Sequence, residues 1–549
     1  MNVIQPSSAQ IERETRQFLP DRDQYKFDYD FLKPLALLQP VVPALPTPPG
    51  YPRVPGSSTF SPYYVFTRSS LPNTLDPFDG LQAFDDFFPA QGKPEVSKIY
   101  QSDRSFAEQR LSGVNPMVLH RIVQIPPQSS VTYEELQLAC PHLRLDMALA
   151  NGNIYVADYS GLGFVQGGTF KDLKKYLPTP VAFFYFDETQ QELIPIAIQV
   201  QPKPGGAIFT PQDTPLDWLV AKMCVQIADA NHHEMGAHLC WTHFVMEPFA
   251  ISTPRQLAIN HPVHLLLAPH LRFLLAINDQ GRQLLVNPYV DGQVGGHVDR
   301  IMAGTLEESL EIVKHTYSEW SLDKFAFPQE IQNRGLEDAN KLPHFPYRDD
   351  GLLLWNAIHK FVSGYLKYCY PTPADIQADR ELQAWAQELA SPDGGRVKGM
   401  PCSFSTVEQL IEVIANVIFT CGPQHAAVNY SQFDYMAYIP NMPHAAYVNI
   451  TGKGMIPDEK ALMKFLPPRD QAEAQIKIVT YLSFYRHDRL GYYDRAFNLT
   501  FRETPVKMMV QQFQQELNEI EQRIDTRNRQ RFVPYPYLKP SLVPNSFSA

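Results

Sequence analysis

Seven of the sixteen histidines, at positions 232, 233, 238, 243, 261, 264 and 270, fall within 39 consecutive residues of a 549-residue chain. Even spacing would put about one there. The centre of the cluster reads His232-His233-Glu234-Met-Gly-Ala-His238-Leu-Cys-Trp-Thr-His243. Neutral imidazole is the commonest metal ligand, so metal chemistry is the first reading. A zinc protease needs His-Glu-x-x-His, in which two histidines four apart share a helix face and the glutamate is the base. Here the histidine following His233-Glu234 is five residues on, and in a regular α-helix that step turns the side chain by about 140°. Widening the helix by one residue into a π-turn returns both to one face, and such bulges collect at functional sites. The spacing argues against a zinc protease and permits a metal held by a widened helix; scattered surface histidines are the competing reading.

A second segment supplies further donors. Thr406–Cys421 is an apolar helix by its pattern, followed by Gly-Pro-Gln-His425-Ala-Ala-Val-Asn429. His425 and Asn429 are four apart, about 40° around a helix, so both can reach one point. Taken alone, the pair reads as a histidine and an amide bonded within a core. Beside the first cluster it reads as a metal site of His233, His238, His425 and Asn429. Nitrogen and oxygen donors without thiolate suit iron better than zinc. All four are neutral, so a trivalent ion would need an anionic ligand as well.

The elements that must carry these residues are mostly helical. Apolar periodicity predicts helices over 218–247, 351–369, 375–390, 406–421 and 506–531, and a short one at Ser105–Arg110. Val181–Phe186 and Leu193–Ile198 flank a polar turn and predict a hairpin, and short strands are expected near 272–286. Residues 34–89 carry twelve prolines among many aromatics, which forbids long helices and predicts an extended arm on the main body, with a recognition or membrane-docking role as the alternative. The expected organisation is a proline-rich N-terminal arm over 1–102 and one helix-rich body over 103–549.

Composition narrows the classes. The chain carries 47 Lys and Arg against 58 Asp and Glu, a net charge of −11, which disfavours nucleic acid and polybasic membrane surfaces. Six cysteines show no CxxC pair and read as reduced cytosolic thiols. The start lacks the basic patch and apolar run of a secretory signal. The most apolar stretch, His264–Ile277, is interrupted by Pro269, His270 and Arg272 and is too short to span a bilayer. A cytoplasmic monomer is expected, with peripheral contact as the only membrane association left open.

At this point the sequence resembles the lipoxygenases. That family's His-x4-His followed by Thr-His-x3-Glu-Pro is matched by His233…His238 and Thr242-His243-Phe-Val-Met-Glu247-Pro248. Arg255-Gln-Leu, His261-Pro262 and Leu-Leu-Leu-Ala-Pro269-His270 follow in the family's order, and His425-Ala-Ala-Val-Asn429 leads into Tyr430-Ser-Gln432. Gly113-Val-Asn-Pro116, Asp350-Gly-Leu-Leu-Leu-Trp355 and Pro534-Tyr-Pro-Tyr-Leu538-Lys-Pro540 are similar too, so the likeness runs from about 103 to 549. It implies a mainly α fold, a large helix-rich catalytic domain with short peripheral strands. It also implies a non-haem iron dioxygenase in which a ferric hydroxide takes a hydrogen atom from the bis-allylic carbon of a polyunsaturated fatty acid of the linoleate or linolenate type. O2 then adds to give a hydroperoxide. Iron is expected ahead of manganese.

By the same resemblance, His233, His238, His425, Asn429 and the main-chain carboxylate of Ala549 would hold the iron. The tail Pro544-Asn-Ser-Phe-Ser-Ala549 is similar to the family's Pro-Asn-Ser-Ile-Ser-Ile; a terminal Ala for Ile need not remove a ligand that belongs to the main chain. His243, Gln432 and Asn545 are candidates for the layer behind the ligands. Leu284 and Leu285 fall in the segment that lines the substrate channel in the family. Gly281 occupies a position that is typically Ala in S-specific and Gly in R-specific members, which implies an R hydroperoxide, 9R from linoleate. The alternative is that Gly281 serves a turn. Where some members carry Asn-Arg-Pro as a carboxylate anchor, this chain has Asn441-Met442-Pro443. The proline-rich first hundred residues do not read as the β-barrel domain of plant and animal members, so a barrel-less, bacterial-type enzyme is expected. A zinc hydrolase and a metal-free lipid-binding protein are the alternatives, separable by metal analysis.

Overall fold

The computed structural model describes residues 75–88, 92–140, 143–286, 289–290, 293–294, 296–502 and 504–548. Most of the proline-rich stretch, and Ala549, lie outside the described residues. Helices account for 54% and strands for 7%, which makes the chain mainly α.

The described part of the arm docks on the body. Phe78, Phe84 and Phe87 are buried together, with Phe78 and Phe84 rings 4.0 Å apart and the Arg469 guanidinium 4.8 Å above Phe78. Helix α1 (Asp103–Ser112) starts where Ser102 accepts a hydrogen bond from the Ser105 amide. It leads into a five-stranded antiparallel sheet in sequential order: β1 (Leu119–Ile122), β2 (Ile154–Asp158), β3 (Val181–Asp187), β4 (Glu192–Gln199) and β5 (Ile208–Phe209). The expected hairpin is β3–β4, with a register shift at Phe183/Phe184. Phe184 faces α1, its ring 5.7 Å from that of Phe106.

The segment expected as one helix over 218–247 is three. Thr214 caps α2 (Pro215–His232), with Pro215 in its first turn where a missing N–H costs nothing. A twelve-residue π-helix, His233–Phe244, follows without a break and passes into α3 (Val245–Gln256). Helices α4 (Pro262–Leu271) and α5 (Leu274–Leu284) come next. The expectation of strands near 272–286 is thus corrected. Phe273, Leu274 and Leu275 are buried apolar residues, and Asn278 and Arg282 continue the inward face at helical spacing with polar partners beneath them.

Helix α6 (Pro346–Cys369) packs along α7 (Val407–Phe419), which Thr406 opens with a capping box. The helix expected at 375–390 is broken at Asp379, which caps Arg380–Ala390. A second π segment, Thr420–Gln424, joins α7 to α8 (His425–Asn429). Pro423 has no N–H for the carbonyl four residues back, and the wider turn accommodates that loss. Helix α9 (Arg469–Phe484) and helix α10 (Pro505–Asn528) complete the set that surrounds the site. Among the described residues no helix is long and apolar enough to cross a membrane.

Candidate metal centre

Both π segments lie against neighbours that leave no room for a side chain at their glycines. A Cβ on Gly236 would stand 2.8 Å from Thr316 Cγ2, and one on Gly422 would stand 3.0 Å from the Pro544 carbonyl oxygen. The first contact seats the histidine-bearing π-helix on the helix Leu306–Glu319; the second seats the C-terminal tail on the turn before His425. The i→i+5 bonding of a π-helix places residues five apart nearly above one another. His233, His238 and His243 therefore share one side, as the widened-helix argument requires.

The structure brings His238, His243 and His425 together. His243 Nε2 is 3.2 Å from His238 Nε2 and 3.1 Å from His425 Nε2, and all three rings are buried. The expected pair was His233 with His238; the histidine that joins His238 is instead His243. His233 turns its Nε2 onto the Val428 carbonyl, 2.8 Å away, and so ties the π-helix to α8. Two successive five-residue spacings, 233 to 238 and 238 to 243, are present in the sequence, and spacing alone cannot choose between them.

Two of the three rings face a polar partner behind them. His243 Nδ1 is 2.9 Å from Asn278 Oδ1. His238 Nδ1 faces the Glu234 carboxylate at 3.6 Å, with His233 Nδ1 3.7 Å from the other oxygen. Burial lowers the pKa of His238 against the opposing pull of Glu234. Burial, and then the neighbouring imidazoles, hold His243 and His425 well below the usual histidine value. Burial alone would raise Glu234, yet the neighbouring imidazoles of His233 and His238 outweigh it and hold the carboxyl well below the usual carboxylate range.

Neutral imidazoles with converging nitrogens can hold a metal. Nitrogens about 2.1 Å from a common ion are about 3.0 Å apart at right angles and about 3.4 Å apart in a tetrahedron. The observed separations of 3.1 and 3.2 Å fall between these limits. The donor set fits a nitrogen-ligated transition metal.

Other expected residues gather around this cluster. Asn429 lies on α8 one turn beyond His425; its Nδ2 donates to the Leu482 carbonyl at 2.8 Å, and its Oδ1 accepts from Gln432 Nε2 at 2.9 Å. The C-terminal tail arrives alongside, the Phe547 ring 4.6 Å from that of His243 and 4.5 Å from that of His425. Asn545 anchors the tail, its Nδ2 donating to Asp488, Arg489 and Tyr492 and its Oδ1 accepting from the Gly491 amide. His270 Nδ1 lies 2.9 Å from the Asn545 carbonyl oxygen.

Of the two leucines expected to line a channel, Leu285 is half-buried against the core, while Leu284 is 39% exposed. Gly281 is helical, without the positive φ of a turn glycine, and a Cβ there would meet only Leu285 Cδ1, at 3.9 Å. Asn441, in the stretch without an arginine, bonds to Gln109 Nε2 at 2.9 Å in the core.

The family profile Lipoxygenase matches residues 84–534. The chain is 32% identical over 503 residues to the "Allene oxide synthase-lipoxygenase protein" of Plexaura homomalla, an alignment covering 85% of this chain and 46% of that one. It is 32% identical over 486 residues to the "Linoleate 9/13-lipoxygenase" of Pseudomonas aeruginosa, covering 85% and 70%. The solved structure of a calcium-dependent 11R-lipoxygenase superposes with a TM-score of 0.86 at 31% identity, over 96% of this chain and 79% of that one. The chain belongs to the lipoxygenase family. It spans less than half the length of the Plexaura homomalla relative.

Proposed function

We propose that this chain is a dioxygenase of polyunsaturated fatty acids, with one iron held by His238, His243 and His425. Asn429 and the carboxylate of Ala549 would complete the donor set. The observation that carries the proposal is the convergence of three buried imidazole nitrogens at 3.1 and 3.2 Å. Iron bound there supplies the one-electron couple that hydrogen abstraction from a bis-allylic carbon requires. The protein's own residues do the rest. Glu234 and Asn278 orient the rings, the tail residue Phe547 closes one side against water, and the surrounding apolar core excludes solvent from the reacting carbon.

Linoleate or linolenate is the proposed substrate, and an R hydroperoxide, 9R from linoleate, the proposed product. What supports the configuration is the absence of a methyl at Gly281, where a Cβ would make only an ordinary contact with Leu285 Cδ1 at 3.9 Å; without it, one end of a bound pentadienyl system would be uncovered. The test is metal analysis of the purified protein together with reaction on linoleate. One iron per chain, oxygen uptake, conjugated-diene absorbance and a predominantly R product on chiral chromatography are expected. Zinc or no metal, with no diene, would overturn the reading.

A further inference from the structure

His243 is backed by a buried chain of polar side chains that packing alone does not require. Asn278 and Arg282 stand four apart on α5; His243 and Glu247 stand four apart where the π-helix passes into α3. Asn278 Oδ1 lies 2.9 Å from His243 Nδ1, and Glu247 pairs with Arg282, whose guanidinium sits 5.3 Å above the Phe244 ring. All four side chains are buried. A buried ion pair stabilises poorly against apolar residues of the same size, so its presence calls for another role.

The amide supplies that role. Asn278 Nδ2 points at the His243 carbonyl oxygen, 3.3 Å away, and at Glu247 Oε2, 3.4 Å away. Both are acceptors, so this end of the amide must be the NH2 and the opposite end the oxygen. The proton of neutral His243 then sits on Nδ1, where Oδ1 accepts it. Nε2 is left as a bare lone pair directed at His238 and His425. Glu247 thus reads the amide's orientation, Arg282 holds Glu247, and the amide selects the ring tautomer.

We propose that Asn278 is a positioning residue that fixes the His243 tautomer for metal binding, with Glu247 and Arg282 keeping its amide the right way round. This rests on the reading that His238, His243 and His425 hold a metal. A simple packing tie between α5 and the π-helix would depend on the volume at 278 and be indifferent to its acceptor. The two roles therefore separate by substitution. Asn278→Leu keeps the branched shape of the side chain and gives the His243 Nδ1–H no acceptor. Asn278→Gln changes the volume and keeps both the acceptor and the NH2.

The experiment measures Fe(II) affinity by anaerobic competition with a chromophoric chelator, on full-length protein whose metal-free unfolding midpoint has been recorded. Loss of a partner behind a ligating histidine costs about 10–100-fold in affinity. Asn278→Leu is expected to weaken binding by that factor, and Asn278→Gln to stay within about threefold of the starting protein. If leucine prevents folding, Asn278→Ala removes the same acceptor without added bulk. A folded Leu or Ala variant that binds iron as tightly as the starting protein overturns the proposal, and so does a folded Gln variant as weak as Leu. If the starting protein takes up no iron, the metal reading itself falls; if it binds iron and the variants match it, only the role of Asn278 falls.

Discussion

Replacing His233 and His243 one at a time separates the two assignments that equal spacing leaves open. His243→Ala removes one of three converging nitrogens and should abolish stoichiometric metal. His233→Ala removes a hydrogen bond to the buried Val428 carbonyl and leaves that oxygen without its partner. An unsatisfied buried acceptor costs about 1–3 kcal/mol. With an unfolding entropy of about 2.1 cal/mol/K per residue, a chain of this size has about 1 kcal/mol/K at its midpoint, so the expected fall in Tm is only about 1–3 °C. Metal should be retained, because His233 Nε2 is engaged by the Val428 carbonyl and does not join the three converging nitrogens. The assay is metal content by mass spectrometry after desalting, beside a thermal scan of each variant. Full metal in His243→Ala with none in His233→Ala would refute the assignment and restore the pairing first expected.

Gly281→Ala should fold normally, since its Cβ meets only one methyl at 3.9 Å; chiral analysis should show product moving towards S at the far carbon, and an unchanged mixture from an iron-loaded variant would leave Gly281 without a role in configuration. Gly236→Ala should destabilise by about 1–3 kcal/mol, because its Cβ would overlap Thr316, and Thr316→Ala in the same chain should recover much of the loss in denaturant titration. His264 and His270 are pushed down to about 4, chiefly by burial. Both stay neutral in the fold while the unfolded chain takes up protons below the ordinary histidine value. Stability should therefore be fully present above about pH 6.5 and fall as pH drops towards 4, read as a declining denaturant midpoint. Burial raises Asp379, but the His261 imidazole and hydrogen bonds from His261, the Leu382 amide and Tyr370 outweigh it and bring the carboxyl to about 2. Its contribution is present above the ordinary carboxylate value and lost only as pH falls towards 2, so Asp379→Asn should lower the midpoint at neutral pH and narrow the gap in strong acid.

How far the sequence could be read depended on whether the deciding interaction was local. The β3–β4 hairpin, α1 and α7 follow from runs of apolar residues between caps and turns, and each lies close to where periodicity places it. The widened helix was legible because a five-residue histidine spacing makes no sense on an α-helix. Which pair of the three histidines converges was not legible. That is settled by Asn278, 35 residues from His243, and by Val428, 195 residues from His233. The same long-range partners explain the misreading of 272–286. Asn278 and Arg282 break an apolar run in sequence, yet His243 and Glu247 satisfy them in space. Asp379 ends one helix and starts the next because its carboxylate accepts from the Glu381 and Leu382 amides.

The anchoring of the tail has a kinetic side. His270 meets the Asn545 carbonyl across 275 residues of chain, and the His243–His425 approach spans 182. Contacts of such separation are made late, since the entropy of closing the intervening loops must be met before they give anything back. Helices α2 and α7 can form early from neighbours, whereas the histidine cluster has to wait for α8 and the tail to arrive. During refolding, recovery of helical signal should therefore precede uptake of metal. A chain interrupted between those two events would carry most of its helix content and no capacity to bind the ion.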